Sequence, residues 1–151
     1  MSAYVAYLDT SAIVKRYILE HGSDEVAALY SRAWGGDVKL SFSLWNIGEA
    51  LGVFDKYHRR GWIAASDYKL VKGRFLDEVV RMLKLGVLKL VPLRLSIVVD
   101  TWRLIEEHHI YEADALQVAS AKYVKADEFY TADEELCDIA ATQGFKAKRL
   151  T

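Results

Sequence analysis
The sequence predicts an α/β protein, a three-layer α/β/α arrangement in which a central parallel sheet of four to five strands carries helices on both faces. Three observations lead there. Short apolar runs alternate with longer amphipathic runs throughout, and right-handed crossovers between parallel strands place the intervening helices on each side of a sheet. At 151 residues, 52% of them hydrophobic, the chain can bury one sizeable core and is too short for two ordinary domains, so residues 1–151 are read as one domain. No internal repeat, linker or low-complexity segment interrupts the pattern.

The elements follow in order. Tyr4 to Leu8 reads as a buried strand, and Asp9, Thr10 and Ser11 each offer an N-cap for a helix over about residues 11–19. A second helix starts at Ser23, turns Val26, Ala27, Leu29 and Tyr30 inward, and ends near Gly35 and Gly36, where left-handed backbone is cheap. Val38 to Ser41 is the next strand. Ser43 caps a longer helix through Arg60, and a further helix over about residues 64–84 repeats Leu70, Val71, Phe75, Val79, Val80 and Leu83, so the two form a hairpin. Val87 to Val91 is a third strand stopped by Pro92. Helices over 96–109 and 113–123, a strand from Glu128 to Thr131, a helix over about 133–142 and a last strand near Phe145 to Ala147 complete the order.

Composition excludes several classes. With 20 Lys and Arg against 21 Asp and Glu there is no whole-molecule positive field, so nucleic acid would need a local patch. No apolar run reaches the roughly 18 residues of a membrane span and the N-terminus lacks a secretory pattern, so no membrane contact and a cytoplasmic location are expected. Cys137 is the only cysteine, which excludes an internal disulfide and a multi-cysteine zinc site; its apolar helical setting assigns it to the core. Asn46, Gln117 and Gln143 are the only side-chain amides, a scarcity that fits a heat-adapted source.

Four acids carry the chemistry. In open parallel sheets, sites form beyond the carboxyl ends of the strands near the switch in strand order. Asp9 lies just past the first strand and Asp133 just past the fourth, on the same edge of the sheet. Glu49 sits between Leu44 and Phe54, where apolar or small residues fill nearly every helical direction and a charge needs a partner. Beside it, Gly48 and Gly52 cost helix propensity, so close approach to a neighbour or access is expected to require them. Asp114 opens a helix rich in small residues.

Each acid also has an ordinary explanation. Asp9 serves as a helix cap, Glu49 as half of an ion pair or as an acid at the helix rim, and Asp114 as a first-turn acid favoured by the helix dipole. Thr131 and Glu134 fit a capping box around Asp133. Against this, Thr10 and Ser11 leave Asp9 unneeded as a cap, and Ser11 is placed to hold its carboxylate or a metal-bound water. Carboxylates that converge raise each other's pKa, and a hard divalent cation such as Mg²⁺ or Mn²⁺ is the usual reason for gathering them.

The run from Leu8 to Tyr17, Glu49 within a helix, the run from Asp114 to Ala121 and the run from Tyr130 to Asp133 together resemble the PIN-domain nucleases over essentially the whole chain. The Asp9, Thr10, Ser11, Ala12 opening and the compact length look most like a VapC-type toxin ribonuclease. The resemblance implies a PIN-like fold and a catalytic, metal-binding quartet of Asp9, Glu49, Asp114 and Asp133, with Ser11 and Thr131 supporting it. It further implies Mg²⁺- or Mn²⁺-dependent hydrolysis of RNA phosphodiesters to 5′-phosphate and 3′-hydroxyl ends. The implied assembly is a homodimer with a VapB-type antitoxin in a hydrophobic groove, sought along the helical hairpin. Glu112 is not counted in the quartet.

An RNA track outside the quartet is expected from Lys15, Arg16, Lys56, Arg59 and Arg60, with Lys69, Lys72 and Arg74 nearby and aromatics interleaved, although such cations also suit helix ends and solvated faces. His58, His108 and His109 show no ligand spacing and are assigned to the surface or rim. Trp34, Trp45, Trp62 and Trp102 are assigned to the core by default, with an interface as the other use.

Rival enzymes lack their central residue. An aspartyl-phosphate phosphohydrolase repeats Asp two positions on, where this chain has Ser11; a receiver domain needs an Asp after the third strand, where Leu90 to Leu93 has none; and no glycine-rich phosphate loop is present. The remaining alternatives are a PIN-like scaffold that binds RNA or protein without cutting, and an RNA-processing nuclease outside any toxin pair.

Overall fold
A computed structural model describes residues 3–151. The order is β1 (Val5–Leu8), α1 (Thr10–Tyr17), α2 (Ser23–Trp34), β2 (Lys39–Ser43), α3 (Leu44–Arg59), α4 (Ala65–Lys84), β3 (Leu88–Val91), α5 (Leu95–His108), α6 (Glu112–Tyr123), β4 (Glu128–Thr131), α7 (Glu134–Thr142) and β5 (Lys146–Arg149). All five strands are parallel in the spatial order β3-β2-β1-β4-β5. The chain therefore winds outward from β1 to β3, returns to the other side of β1, and winds outward again. Strand order reverses between β1 and β4, which are paired through Ala6–Glu128, Tyr7–Phe129 and Leu8–Tyr130. That crevice is where the ends of strands diverge to leave room for a ligand.

Alternation along each strand divides the interior into two cores. Ala6, Leu8, Leu40, Phe42, Leu88 and Tyr130 pack against α1 to α4, while Tyr7, Val91 and Phe129 pack against α5 to α7. The three layers expected from the sequence are thus present. Phe42, Phe54, Phe75 and Phe129 with Tyr7 and Tyr30 fill the interior, so Trp45, Trp62 and Trp102, expected inside, lie largely exposed, and only Trp34 packs partly against the core. Cys137 is buried as expected.

The hairpin of α3 and α4 is fastened to the first two helices through one carboxylate. Glu78 accepts hydrogen bonds from Arg16 Nε and Nη2, both at 3.0 Å, from the Tyr17 hydroxyl at 2.8 Å and from Trp34 Nε1 at 3.1 Å. Burial alone would raise its pKa, but these donors outweigh burial and hold it below the ordinary value. Gly48 and Gly52 do not serve close packing: an added Cβ would meet nothing within 4 Å at either, so they leave an open face on α3.

Candidate functional site
Asp9 ends β1 and starts α1. Its backbone is extended, and its Oδ1 accepts from the Ala12 amide at 3.0 Å as the helix N-cap and from the Ser11 hydroxyl at 2.6 Å. Its Oδ2 accepts from the Thr131 hydroxyl at the end of β4. The Ser11 oxygen in turn accepts from the Ala132 amide at 2.9 Å. Asp9 is therefore a cap and also the point at which the ends of β1 and β4 are tied together. Thr10 and Ser11, the spare caps, have other partners.

At the end of β4 the cap differs from the expectation. Asp133, not Thr131, is the N-cap of α7 and accepts from Leu136 N at 2.8 Å. Thr131 is the last residue of the strand, where its oxygen accepts from Asp133 N while its proton goes to Asp9. The capping box read between Thr131 and Glu134 fails because α7 begins only at Glu134, with Asp133 as its cap, and the Thr131 hydroxyl is engaged by Asp9 and the Asp133 amide. Glu49 enters from α3, with Oε1 accepting from the Thr10 hydroxyl at 2.7 Å. Asp114 enters from the first turn of α6.

These elements enclose one cleft of about 200 Å³ lined by Asp9, Thr10, Ser11, Glu49, Ala113, Asp114, Gln117 and Asp133. Among the described residues, four walls contribute a carboxylate and none contributes a cation. Hollows of about 530 Å³ beside Gly22 and about 580 Å³ along α4 are larger, but neither lies at the strand switch point. Asp9 is only 6% exposed, and burial pushes its pKa to about 6. The three hydrogen bonds pull the value down and Asp114 pushes it up. For Asp114 every influence acts upward: burial first, then the charges of Asp133, Glu49 and Glu135. Carboxylates that perturb one another across a cleft free of cations have the character of a hard-cation site, and an all-oxygen donor set suits Mg²⁺ or Mn²⁺ better than softer metals. Among the described residues no three His, Cys, Asp or Glu are already closed on a common point, so the acids line the cleft wall rather than meet within it.

The PIN domain family profile matches residues 6–142, a span that begins in β1 and ends with α7. The chain belongs to the PIN domain family. Its fold is shared by solved structures at low sequence identity. Mycobacterium tuberculosis VapC20, described as a sarcin–ricin-loop-cleaving toxin, superposes with a TM-score of 0.61 at 15% identity, over 95% of this chain and 98% of that one. PAE2754 from Pyrobaculum aerophilum gives 0.63 at 19% identity, over 89% and 78%. VapBC2 from Rickettsia felis, solved with a fragment of its promoter DNA, gives 0.58 at 15% identity, over 89% and 92%. A search of curated proteins returns no match. The likeness read from the sequence, to PIN domains and to VapC-type members among them, is borne out at the level of family and fold.

Within this PIN domain the expected basic track divides. Lys15 is buried and its ammonium is 3.1 Å from Glu20, while Arg16 is held by Glu78. Both have internal partners, which lie five and 62 residues away along the chain. Lys56, Arg59 and Arg60 are exposed at the end of α3, where Arg59 pairs with Asp55 and Arg60 lies over Trp62. Glu112 is engaged by the Thr101 hydroxyl, which joins α5 to α6, and does not line the cleft. His58 stacks on Tyr68 and His108 contacts Gln143.

The reading of the sequence missed what stands behind the acids. Tyr7, Asn46 and Gln117 form a buried polar group that touches Thr10. The signal was present, since Asn46 and Gln117 are two of the three side-chain amides in the sequence.

Proposed function
We propose that this PIN domain is an Mg²⁺- or Mn²⁺-dependent endoribonuclease that serves as the toxin of a type II toxin–antitoxin pair. The observation that carries the reading is the cleft at the β1–β4 switch point, whose walls bring four carboxylates and no cation. Asp9, Glu49, Asp114 and Asp133 would hold the metal, which when bound supplies an activated water and offsets charge at the phosphate during hydrolysis. The protein's own part is to present lone pairs in fixed directions. Asp9 Oδ1 already takes two donors and Oδ2 takes one, which leaves a single oxygen site directed away from Ser11 and Ala12. Glu49 Oε1 takes one donor and leaves Oε2 open. Ser11 and Thr131 hold the Asp9 carboxylate between two strand ends and keep its ionised form hydrogen-bonded in a buried place.

RNA phosphates outside the cleft are assigned to Lys56, Arg59 and Arg60, with exposed Trp62 as a stacking face. The toxin role draws support from the shared fold with VapC20 and VapBC2. A VapB-type antitoxin would cover the hollow along α4, lined by Leu70, Gly73 and the stems of Lys69 and Arg74. A homodimer would cover Leu95, Val99 and Trp102, which share the outer face of α5.

The test is cleavage of a structured and a single-stranded RNA with Mg²⁺, Mn²⁺ or EDTA, comparing wild type with Asp9→Asn. Metal-dependent cutting by the wild type alone is expected. No cutting with any metal, both proteins being folded, would refute the nuclease reading in favour of a binding scaffold.

A further inference from the structure
We infer that Thr10 and Asn46 are positioning residues which act as a one-way hydrogen-bond relay, orienting Glu49 for the cation; the inference rests on the metal-site reading above. The direction of every bond in the relay follows from one backbone amide. Ser43 N–H can only donate, and it reaches Asn46 Oδ1 at 2.7 Å, which fixes the carbonyl end of that side chain. Asn46 Nδ2 must then face the other way, where it lies 2.8 Å from Thr10 Oγ1 and 2.9 Å from Gln117 Oε1. Gln117 in turn must present its oxygen, which also accepts from the Tyr7 hydroxyl at 2.8 Å. Because Thr10 Oγ1 accepts from Asn46, its single proton is directed to Glu49 Oε1, 2.7 Å away.

Asn46 is fully buried, as are Tyr7 and Ser43, so the amide has no competing water to turn it. The relay begins in the core and ends on a cleft acid that no helix cap holds: Asp9 and Asp133 are helix caps, whereas Glu49 has a longer, partly exposed side chain in mid-helix. A donor fixed on Oε1 keeps Oε2 aimed outward, and groups that orient a ligand in this way change affinity by about 10- to 100-fold when removed. Asn46 also closes the capping box of α3, so its two roles have to be separated by experiment.

Mn²⁺ binding measured by titration calorimetry, with the melting temperature recorded for each protein, makes that separation. Thr10→Val is expected to weaken Mn²⁺ binding about tenfold, and Thr10→Ser to bind within about twofold of wild type because it retains the relay hydroxyl. In a Glu49→Gln background Thr10→Val should cause no further loss. Asn46→Ala should weaken binding and lower the melting temperature in the wild type, but on a Thr10→Val background should lower only the melting temperature. Thr10→Ala, at the same partly exposed position, replaces Thr10→Val if that variant fails to fold. Wild-type affinity in Thr10→Val, or an equal loss with and without Glu49→Gln, would overturn the relay while leaving the metal site intact. Wild type that binds no Mn²⁺ would overturn the metal site and the relay together.

Discussion

Asp9→Asn should make the metal-free protein more stable at neutral pH while removing its activity. The carboxyl has a pKa of about 6 in the fold against an ordinary 3.8, chiefly because it is buried. A group raised in this way favours folding while protonated. Its contribution is complete below the unfolded value and is lost as pH rises through the folded one, so wild-type stability in EDTA should fall between about pH 4 and pH 6 and then level off. A gap of about two pKa units at 1.36 kcal/mol each makes the ionised carboxylate cost about 3 kcal/mol at pH 7.5. Its 6% exposure leaves little solvent screening to discount.

Asparagine removes that cost and keeps an oxygen for Ser11 and the Ala12 amide, but sets an amide N–H against the Thr131 hydroxyl, a mismatch worth about 1 kcal/mol. The net gain is about 2 kcal/mol, or about 4–8 °C for a chain of this size. Thermal unfolding in EDTA at pH 4 and pH 7.5 reads it directly: Asp9→Asn should melt higher than wild type at pH 7.5 and no higher at pH 4. A variant that melts lower at pH 7.5 would refute the reasoning, because it would mean that the ionised carboxylate stabilises the fold without a cation.

Two other perturbations probe the scaffold around the site. Glu78→Ala leaves the Arg16 guanidinium, the Tyr17 hydroxyl and the Trp34 indole without their shared acceptor, and should cost about 3 kcal/mol in urea unfolding; a loss below about 1 kcal/mol would show that the cluster rearranges around water. Gly48→Ala fills open space in mid-helix and should raise stability by about 0.5–1 kcal/mol, measured by the same unfolding; destabilisation would mean that a neighbour comes closer to α3 than the fold shows.

Most of the fold was legible because its signals are local. Asp9 and Ser43 at helix starts, the glycines beyond helix ends and the apolar strand runs mark the elements, and the predicted order and number of strands agree with the observed sheet. The convergence of Asp9 and Asp133 was legible too, since both follow strands that an alternating pattern makes parallel. What was not legible depends on partners far away in sequence. Arg16 reads as a free cation until Glu78 is brought to it by the hairpin, and Asn46 reads as a mark of composition until Tyr7 and Gln117 surround it. The tryptophans were misplaced for a related reason: bulk predicts burial only while interior volume remains, and the phenylalanines and tyrosines occupy it. Gly48 and Gly52 signalled an unusual requirement on α3, but only the fold distinguishes an open face from a close contact.

Diffraction at the manganese absorption edge from crystals soaked in Mn²⁺ tests the metal assignment most directly. The predicted result is an anomalous peak in the cleft between β1 and β4, within ligating distance of carboxylate oxygens from Asp9 and at least one of Glu49, Asp114 and Asp133, that disappears in Asp9→Asn. A cleft without a peak at saturating Mn²⁺, in protein that cuts RNA equally well in EDTA, would contradict it.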